Sequence, residues 1–393
     1  MTIQDLAHIS ARDTARRLAA EFAKTAVERD QLGGTPKVER DALRASGLLN
    51  LIIPSAQGGL NASWSETLSI VRELARVDSS VAHVFAFQHL LLATVRLFGQ
   101  PEQWQPWYEQ TVRHNWFWGN ALNPLDTRTI STAQAHGYDF HGSKSFCSGA
   151  TDSDMLLVSA LQHDNRKLLI AAIPSQRTGI TLHQDWDNMG QRQTDSGSAT
   201  FDHVRVEASE ALINPGPLTT PWSSLRPLIA QLILTNIYLG LAEGALAEAR
   251  QYTREQRRNW PASLADSATQ DPYTLLHYGE FWAGLEGARL LTEHAARVLD
   301  QSWQAEERLS AAERGQTAMA IAAAKVAAAR VGLDLTSRMF EVTGARATTA
   351  ALRMDRFWRN LRVHTLHDPL DFKLQELGNW ALNGLYPEPS FYS

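Results

Sequence analysis

The sequence predicts an α+β fold in three parts. These are an N-terminal helical domain (residues 1–114), a central antiparallel β domain (115–222) and a C-terminal bundle of long helices with a tail (223–393). Three observations carry this reading. Both ends of the chain show helical apolar periodicity, the middle shows short alternating runs, and the texture changes abruptly near residue 115. A length of 393 residues also exceeds what one hydrophobic core usually serves.

The first helix is expected over Ala11 to Arg29, charged and amphipathic. A second, Val38 to Ser46, stops at Gly47, and a third covers Trp64 to Val77. Ser79 to Phe98 is a fourth with a very apolar face, and Pro101 opens a fifth at its first turn. The aromatic stretch Asn115 to Leu122 is strand-like. Alternating runs follow at Thr129–Ala135, Tyr138–Phe140, Met155–Ala160, Leu168–Ile173, Ile180–His183 and Ala199–Val206, punctuated by Gly, Asn and Asp. Gly142 to Ala150 reads as a strand ending in small polar residues, and Gly190 to Ser198 as a tight polar loop.

Helical periodicity resumes with Leu228–Gln256, Tyr273–Trp303 and Ala311–Val342, then Arg353–Arg362 and Leu370–Leu382. Three of these run well beyond the usual helix length, so partners along them, and hence an oligomer, are expected. Ala318 to Ala329 is mostly alanine, which lets neighbouring helices approach closely.

Composition excludes several classes. Apolar residues at 44% and charged residues at 20% are ordinary for a soluble globular protein. A net charge of −5 implies no strong attraction to nucleic acid or anionic membrane. One cysteine, Cys147, leaves no disulfide framework and no cysteine-based zinc site within the chain, which fits a cytoplasmic location. Met1 to Leu6 shows no leader pattern, and Leu228 to Leu241 is too short and too polar to span a bilayer.

The search for chemistry begins with exclusions. No Gly-x-Gly-x-x-Gly follows a strand and no phosphate-binding Gly-x-x-x-x-Gly-Lys-Ser occurs, so no nicotinamide site is expected. Gly240-x-x-x-Gly244 lies inside a helix and reads as packing. His364 and His367 stand three apart, but nothing completes a ligand set, so no metal is expected. Ser148 is not in a nucleophile elbow. The densest stretch is Asp355-Arg-Phe-Trp-Arg-Asn-Leu-Arg-Val-His-Thr-Leu-His-Asp-Pro369. Its cations suit an anion, and its histidine before Asp-Pro sits where a helix ends.

Together, Phe146-Cys-Ser-Gly-Ala150, Gly190-Gln-Arg-Gln-Thr-Asp-Ser-Gly197, Asp355-Arg-Phe-Trp-Arg-Asn360 and His364-Thr-Leu-His-Asp-Pro369 resemble one branch of the acyl-CoA dehydrogenase superfamily. That branch is the reduced-flavin-dependent monooxygenases, which include dibenzothiophene and methanesulfinate monooxygenases. The resemblance covers nearly the whole chain. It implies an acyl-CoA dehydrogenase-like fold, a homotetramer, FMN used as FMNH2, O2 as co-substrate and a separate NAD(P)H:FMN reductase.

Residue by residue, the resemblance implies that Asn120 lies beside flavin and substrate, Ser148 bonds the isoalloxazine and Trp186 packs on the ring system. Arg258 and Arg346 would hold the phosphate, partly across a subunit boundary, as bidentate donors do. His83 and His367 match the two active-site histidines, which would assist sulfur attack on a flavin C4a-hydroperoxide. Asp368 would orient His367 or cap the turn. Phe87 stands where the dibenzothiophene enzymes have a tyrosine, four residues from His83 and so on its face of the helix. Leu122 to Asp126 also departs from their pattern.

A dehydrogenase glutamate has no matching position, which argues against an FAD acyl-CoA dehydrogenase. The expected reaction is oxidation of a small organosulfur compound. A sulfinate such as methanesulfinate comes first and thiophene or sulfide S-oxidation second.

Overall fold

The computed structural model describes residues 10–255 and 259–393. Six N-terminal helices come first: α1 (Ala11–Ala23), α2 (Ala26–Leu32), α3 (Lys37–Ser46), α4 (Trp64–Ala75), α5 (Ser79–Phe98) and α6 (Pro101–His114). The helix expected from Ala11 to Arg29 is broken at Lys24–Thr25. The break lets the Arg29 side chain turn inward, where it donates to the Phe22 carbonyl at 2.9 Å and pairs with Glu39 at 3.0 Å.

Helix α5 positions much of the site. Asp78 caps it by accepting from the Val81 N–H at 3.0 Å, which satisfies an otherwise orphaned donor. All of its residues except Arg96 are buried. That burial includes His83 and His89, whose ring nitrogens have no hydrogen-bond partner. Burial pushes His89 down to about 3, so the imidazole is neutral in the fold. Between the ordinary histidine range and that value, the unfolded chain binds a proton that the folded chain refuses. Stability is therefore lost as pH falls. His89→Leu is expected to remove about 2 kcal/mol of the loss between pH 7 and pH 5, by the linkage of one fully suppressed histidine. Urea unfolding at the two pH values measures it. An unchanged pH slope would refute it.

Seven strands follow: β1 (Trp118–Ala121), β2 (Ile130–Gln134), β3 (Gly137–Lys144), β4 (Met155–Gln162), β5 (Leu168–Pro174), β6 (Ile180–Leu182) and β7 (Ala199–Glu207). The expected antiparallel sheet is in fact mixed. β4 pairs in parallel with β1 and, further along, with β2, and antiparallel with β5. The reason lies in the connection into β4. After β3 the chain turns through Phe146 and Gly149, both at positive φ, and enters β4 in the direction of β1. The segment expected as a strand to Ala150 ends at Lys144, and residues 145–150 form this turn. The inward side chains Phe140, Leu156, Val158, Phe201 and Val204 make a small core of their own.

The C-terminal helices are α7 (Leu225–Glu255), α8 (Pro272–Ala305), α9 (Ala311–Thr343), α10 (Arg356–His364) and α11 (Leu370–Asn383). Gly240 and Gly244 let α7 lie against α4, since a Cβ at Gly240 would stand 2.6 Å from the Arg72 carbonyl oxygen. Helices α5 and α7 are long and apolar enough to cross a membrane. Their most apolar windows are 94% and 89% buried inside the fold, which makes them core helices.

Candidate active site

Three segments meet at one place: the first turns of α5, the loop 190–197, and the end of α10 with the turn that follows it. Gln191 is the tie. Its backbone N–H donates to Asn360 Oδ1 at 2.7 Å, and its side-chain amide donates to Ser79 Oγ at 3.0 Å and to His364 Nδ1 at 3.2 Å. Gln191 holds a positive φ of 53°, and Gly190 precedes it because a Cβ there would collide with the Arg359 carbonyl. Trp186 joins the same loop, donating from its indole to the Gln191 carbonyl at 2.8 Å, with Phe146 edge-on to its ring at 5.8 Å.

The β-domain wall is polar. The Asn120 N–H donates to the Ser148 carbonyl at 2.9 Å, and the Ser148 and Ser196 hydroxyls are 2.7 Å apart. Arg40 fixes this turn from below, donating to the Gly149 carbonyl at 3.0 Å and pairing with Asp152 at 3.2 Å.

The histidines lie on α5 and at the end of α10. His83 stacks on Phe87 with ring centroids 4.0 Å apart, as their spacing on one helix face predicts, and stands 4.9 Å from the His364 ring. Both nitrogens of His83 and Nε2 of His364 are buried without a partner. Such groups are costly unless a ligand satisfies them. Burial, helped by the His367 charge, pushes His83 down to about 3, and burial likewise holds His364 well below the ordinary histidine range. Both are neutral at neutral pH.

His367 follows α10 in the turn before α11 and is partly open, its side chain 44% exposed. Its Nδ1 lies 3.1 Å from Asp368 Oδ1, and the same oxygen accepts from Lys325 Nζ at 2.6 Å. Asp368 therefore orients His367, and the helix that follows takes no side-chain cap from it. Burial raises the Asp368 carboxyl, but the His367 bond and the Lys325 charge outweigh it and hold the group below the usual carboxylate range. As a carboxylate, Asp368 makes Nδ1 the donor and leaves Nε2 for a reacting group.

Contacts run from Phe87 and His83 to His364, from His364 through Gln191 to Trp186, and from Gln191 through Thr194 and Ser196 to Ser148 and Asn120, while His367 acts on the charge of His83. The fold does not bring Arg346 to them within this chain. Arg346 is exposed just after α9 and has no ion-pair partner among the described residues. Arg258 lies outside the described residues. Two of the three arginines of the 355–369 run, Arg356 paired with Glu248 and Arg359, are scaffold rather than an open anion site. Arg359 pairs with Asp30 at 2.6 Å and with Asp355 at 2.7 Å, and Arg353 pairs with Asp30 at 2.6 Å. Sequence reasoning gave no site role to Gln191 or Lys325 and weighed His364 only as a metal ligand. Lys325 had a visible signal, as a lone charge inside the alanine-rich Ala318–Ala329 stretch.

The acyl-CoA dehydrogenase N-terminal domain matches residues 7–115, its middle domain residues 119–204 and its C-terminal domain residues 232–372. The chain is 65% identical over 380 residues to the probable FMNH2-dependent monooxygenase SfnC of Pseudomonas putida, covering 96% of each. It is 41% identical to the dibenzothiophene monooxygenase of Rhodococcus erythropolis, covering 96% of this chain and 94% of that one. Among solved structures, methanesulfinate monooxygenase MsuC of Pseudomonas fluorescens superposes with a TM-score of 0.97 at 66% identity, over 98% of this chain and 100% of that one. FMN-bound TdsC of Paenibacillus sp. A11-2 gives 0.93 at 43%, over 98% and 100%.

The chain belongs to the acyl-CoA dehydrogenase family. Within that family it is an FMNH2-dependent flavin monooxygenase, and its cofactor is FMN. The residues present fit that cofactor. A half-buried indole and a hydroxyl-lined turn suit a flat heterocycle, and the orphaned imidazole nitrogens call for polar partners.

Proposed function

We propose that this enzyme oxidises an alkanesulfinate such as methanesulfinate to the sulfonate, with FMNH2 delivered by a separate NAD(P)H:FMN reductase. The observation that carries the reading is the convergence of His83, Phe87, His364 and the His367–Asp368–Lys325 chain, linked by Gln191 to the loop and turn holding Trp186 and Ser148. The 66% identity to methanesulfinate monooxygenase MsuC supports the choice of sulfinate.

Bound FMNH2 supplies two electrons and two protons, so that one oxygen atom of O2 joins the sulfur and the other leaves as water. In this proposal Ser148 and Asn120 hold the edge of the ring system, and Trp186 packs against it. Arg258 and Arg346 take the phosphate, Arg346 being exposed and free of carboxylates among the described residues. His83, neutral and unpartnered, holds a proton next to the reacting oxygen. His367 takes up a proton released in the reaction on Nε2 and passes it to the departing oxygen, while Asp368 keeps the ring in register through Nδ1. The apolar wall of Phe87 and the buried α5 face limit water.

The same proposal includes a homotetramer, supported by Trp282 on α8 and Phe372 and Trp380 on α11, all exposed. It keeps three units at 1–114, 115–222 and 223–393.

The test supplies FMNH2, O2 and a panel of sulfinates, sulfides and thiophenes, with products read by mass spectrometry. Methanesulfonate is expected as the main coupled product from methanesulfinate. Turnover of dibenzothiophene in preference to every sulfinate would replace this reading with thiophene S-oxidation.

A further inference from the structure

Arg226, on the first turn of α7, is 7% exposed. Its Nε is buried with no hydrogen-bond partner, and no carboxylate pairs with it among the described residues. The other buried cations among the described residues each have a partner, although Arg40 and Arg314 also keep an unbonded nitrogen. Arg29, Arg40, Lys325, Arg356 and Lys373 each have a carboxylate within ion-pair distance, while Arg314 and Lys144 donate to backbone carbonyls. A buried guanidinium without an anion is unfavourable by several kcal/mol, at order of magnitude, so such charges are ordinarily matched.

The position of Arg226 relates it to the site. The titratable group that acts on its charge is the Tyr392 hydroxyl. The Tyr392 ring stands 6.1 Å from the ring of His367. On the same helix, Gln231 accepts from Lys325, the residue that holds Asp368. Burial lowers Arg226 to about 10, which leaves it charged at neutral pH, while burial raises Tyr392 and keeps it neutral. Tyr392 therefore offers a hydroxyl and no counter-charge.

We propose that Arg226 is the anion-recognition residue of the substrate pocket, taking the oxygens of a sulfinate and turning its sulfur toward the His367 end of the site. The idea rests on the sulfinate reading above. A guanidinium suits a two-oxygen anion because its N–H pairs match the spacing of those oxygens. A neutral sulfide or thiophene would leave the charge unanswered.

The experiment uses the full chain, wild type, R226M and R226K. Calorimetry reads the binding of methanesulfonate, the unreactive product anion, which keeps the two sulfinate oxygens and adds a third. Fluorescence reads FMN binding, a thermal melt reads stability, and steady-state assays read methanesulfinate oxidation. R226M is expected to lose methanesulfonate binding and to raise KM for methanesulfinate about 100-fold, as when a charged hydrogen-bond pair is lost, with a much smaller change in kcat. FMN affinity should hold and the melting temperature should not fall, since an unmatched buried charge has been removed. R226K should recover part of the anion binding.

Equal methanesulfonate binding by wild type and R226M would overturn the proposal. So would loss of FMN binding, which would give the arginine to the cofactor phosphate, or a lowered melting temperature with anion binding intact. The two readings fail separately. A wild type that turns over neutral sulfides but no sulfinate removes the substrate assignment, while methanesulfonate binding lost in R226M would still locate an anion site there.

Discussion

His367→Ala is expected to lower coupled sulfur oxidation by about 100- to 10,000-fold, the usual range for loss of a placed general acid. FMN binding should survive, because the groups proposed to hold the ring and the phosphate lie elsewhere. The reducing equivalents should then appear as hydrogen peroxide. Sulfonate and peroxide measured in the same reaction give the ratio directly. The geometry behind this is the Asp368 carboxylate on Nδ1, which leaves Nε2 for the oxygen to be protonated. Alanine keeps the turn, whose backbone bond from the His367 N–H to the His364 carbonyl is 3.0 Å and needs no imidazole. A variant with unchanged coupling would remove His367 from the chemistry.

The second large effect concerns stability. Lys325→Met leaves Asp368 buried beside His367 with its ammonium partner gone. Breaking one side of a buried ion pair costs about 3–5 kcal/mol, because the remaining charge is uncompensated. The Asp368 carboxyl now sits low, so its stabilisation is present above the ordinary carboxylate range and is lost as pH falls. Without Lys325 that loss should begin at a higher pH. The double variant Lys325→Met with Asp368→Asn should recover most of the stability, though not the activity, since His367 loses its orienting carboxylate. A double-mutant cycle by urea denaturation reads the coupling. Additive single effects would show that the pair does not act as a unit.

Much of the fold was legible because its signals are local. Ser79 to Phe98, Pro101 and Gly47 announce helix bounds by apolarity, ring geometry and left-handed freedom. The seven strands appear as alternating runs between turn residues. The direction of pairing was not legible. Whether β1 runs parallel to β4 depends on how the chain turns through Phe146 and Gly149, and alternation is the same for either direction. The break at Lys24–Thr25 was also hidden, since it serves a side chain, Arg29, that satisfies distant partners.

The site divides in the same way. His83 and Phe87 could be paired from the sequence because a helix fixes the relation of residues four apart. The resemblance of the His364–Pro369 motif pointed to His367. The sequence by itself therefore determined the fold class, the cofactor class and the histidines to suspect. Only the tertiary structure decided that Arg353 and Arg359 are tied to Asp30, that Asp368 orients His367 with Lys325 behind it, and that Arg226 is buried unmatched. These are matters of which charge meets which. Charge pairing acts through space between residues far apart along the chain, and no local pattern records it.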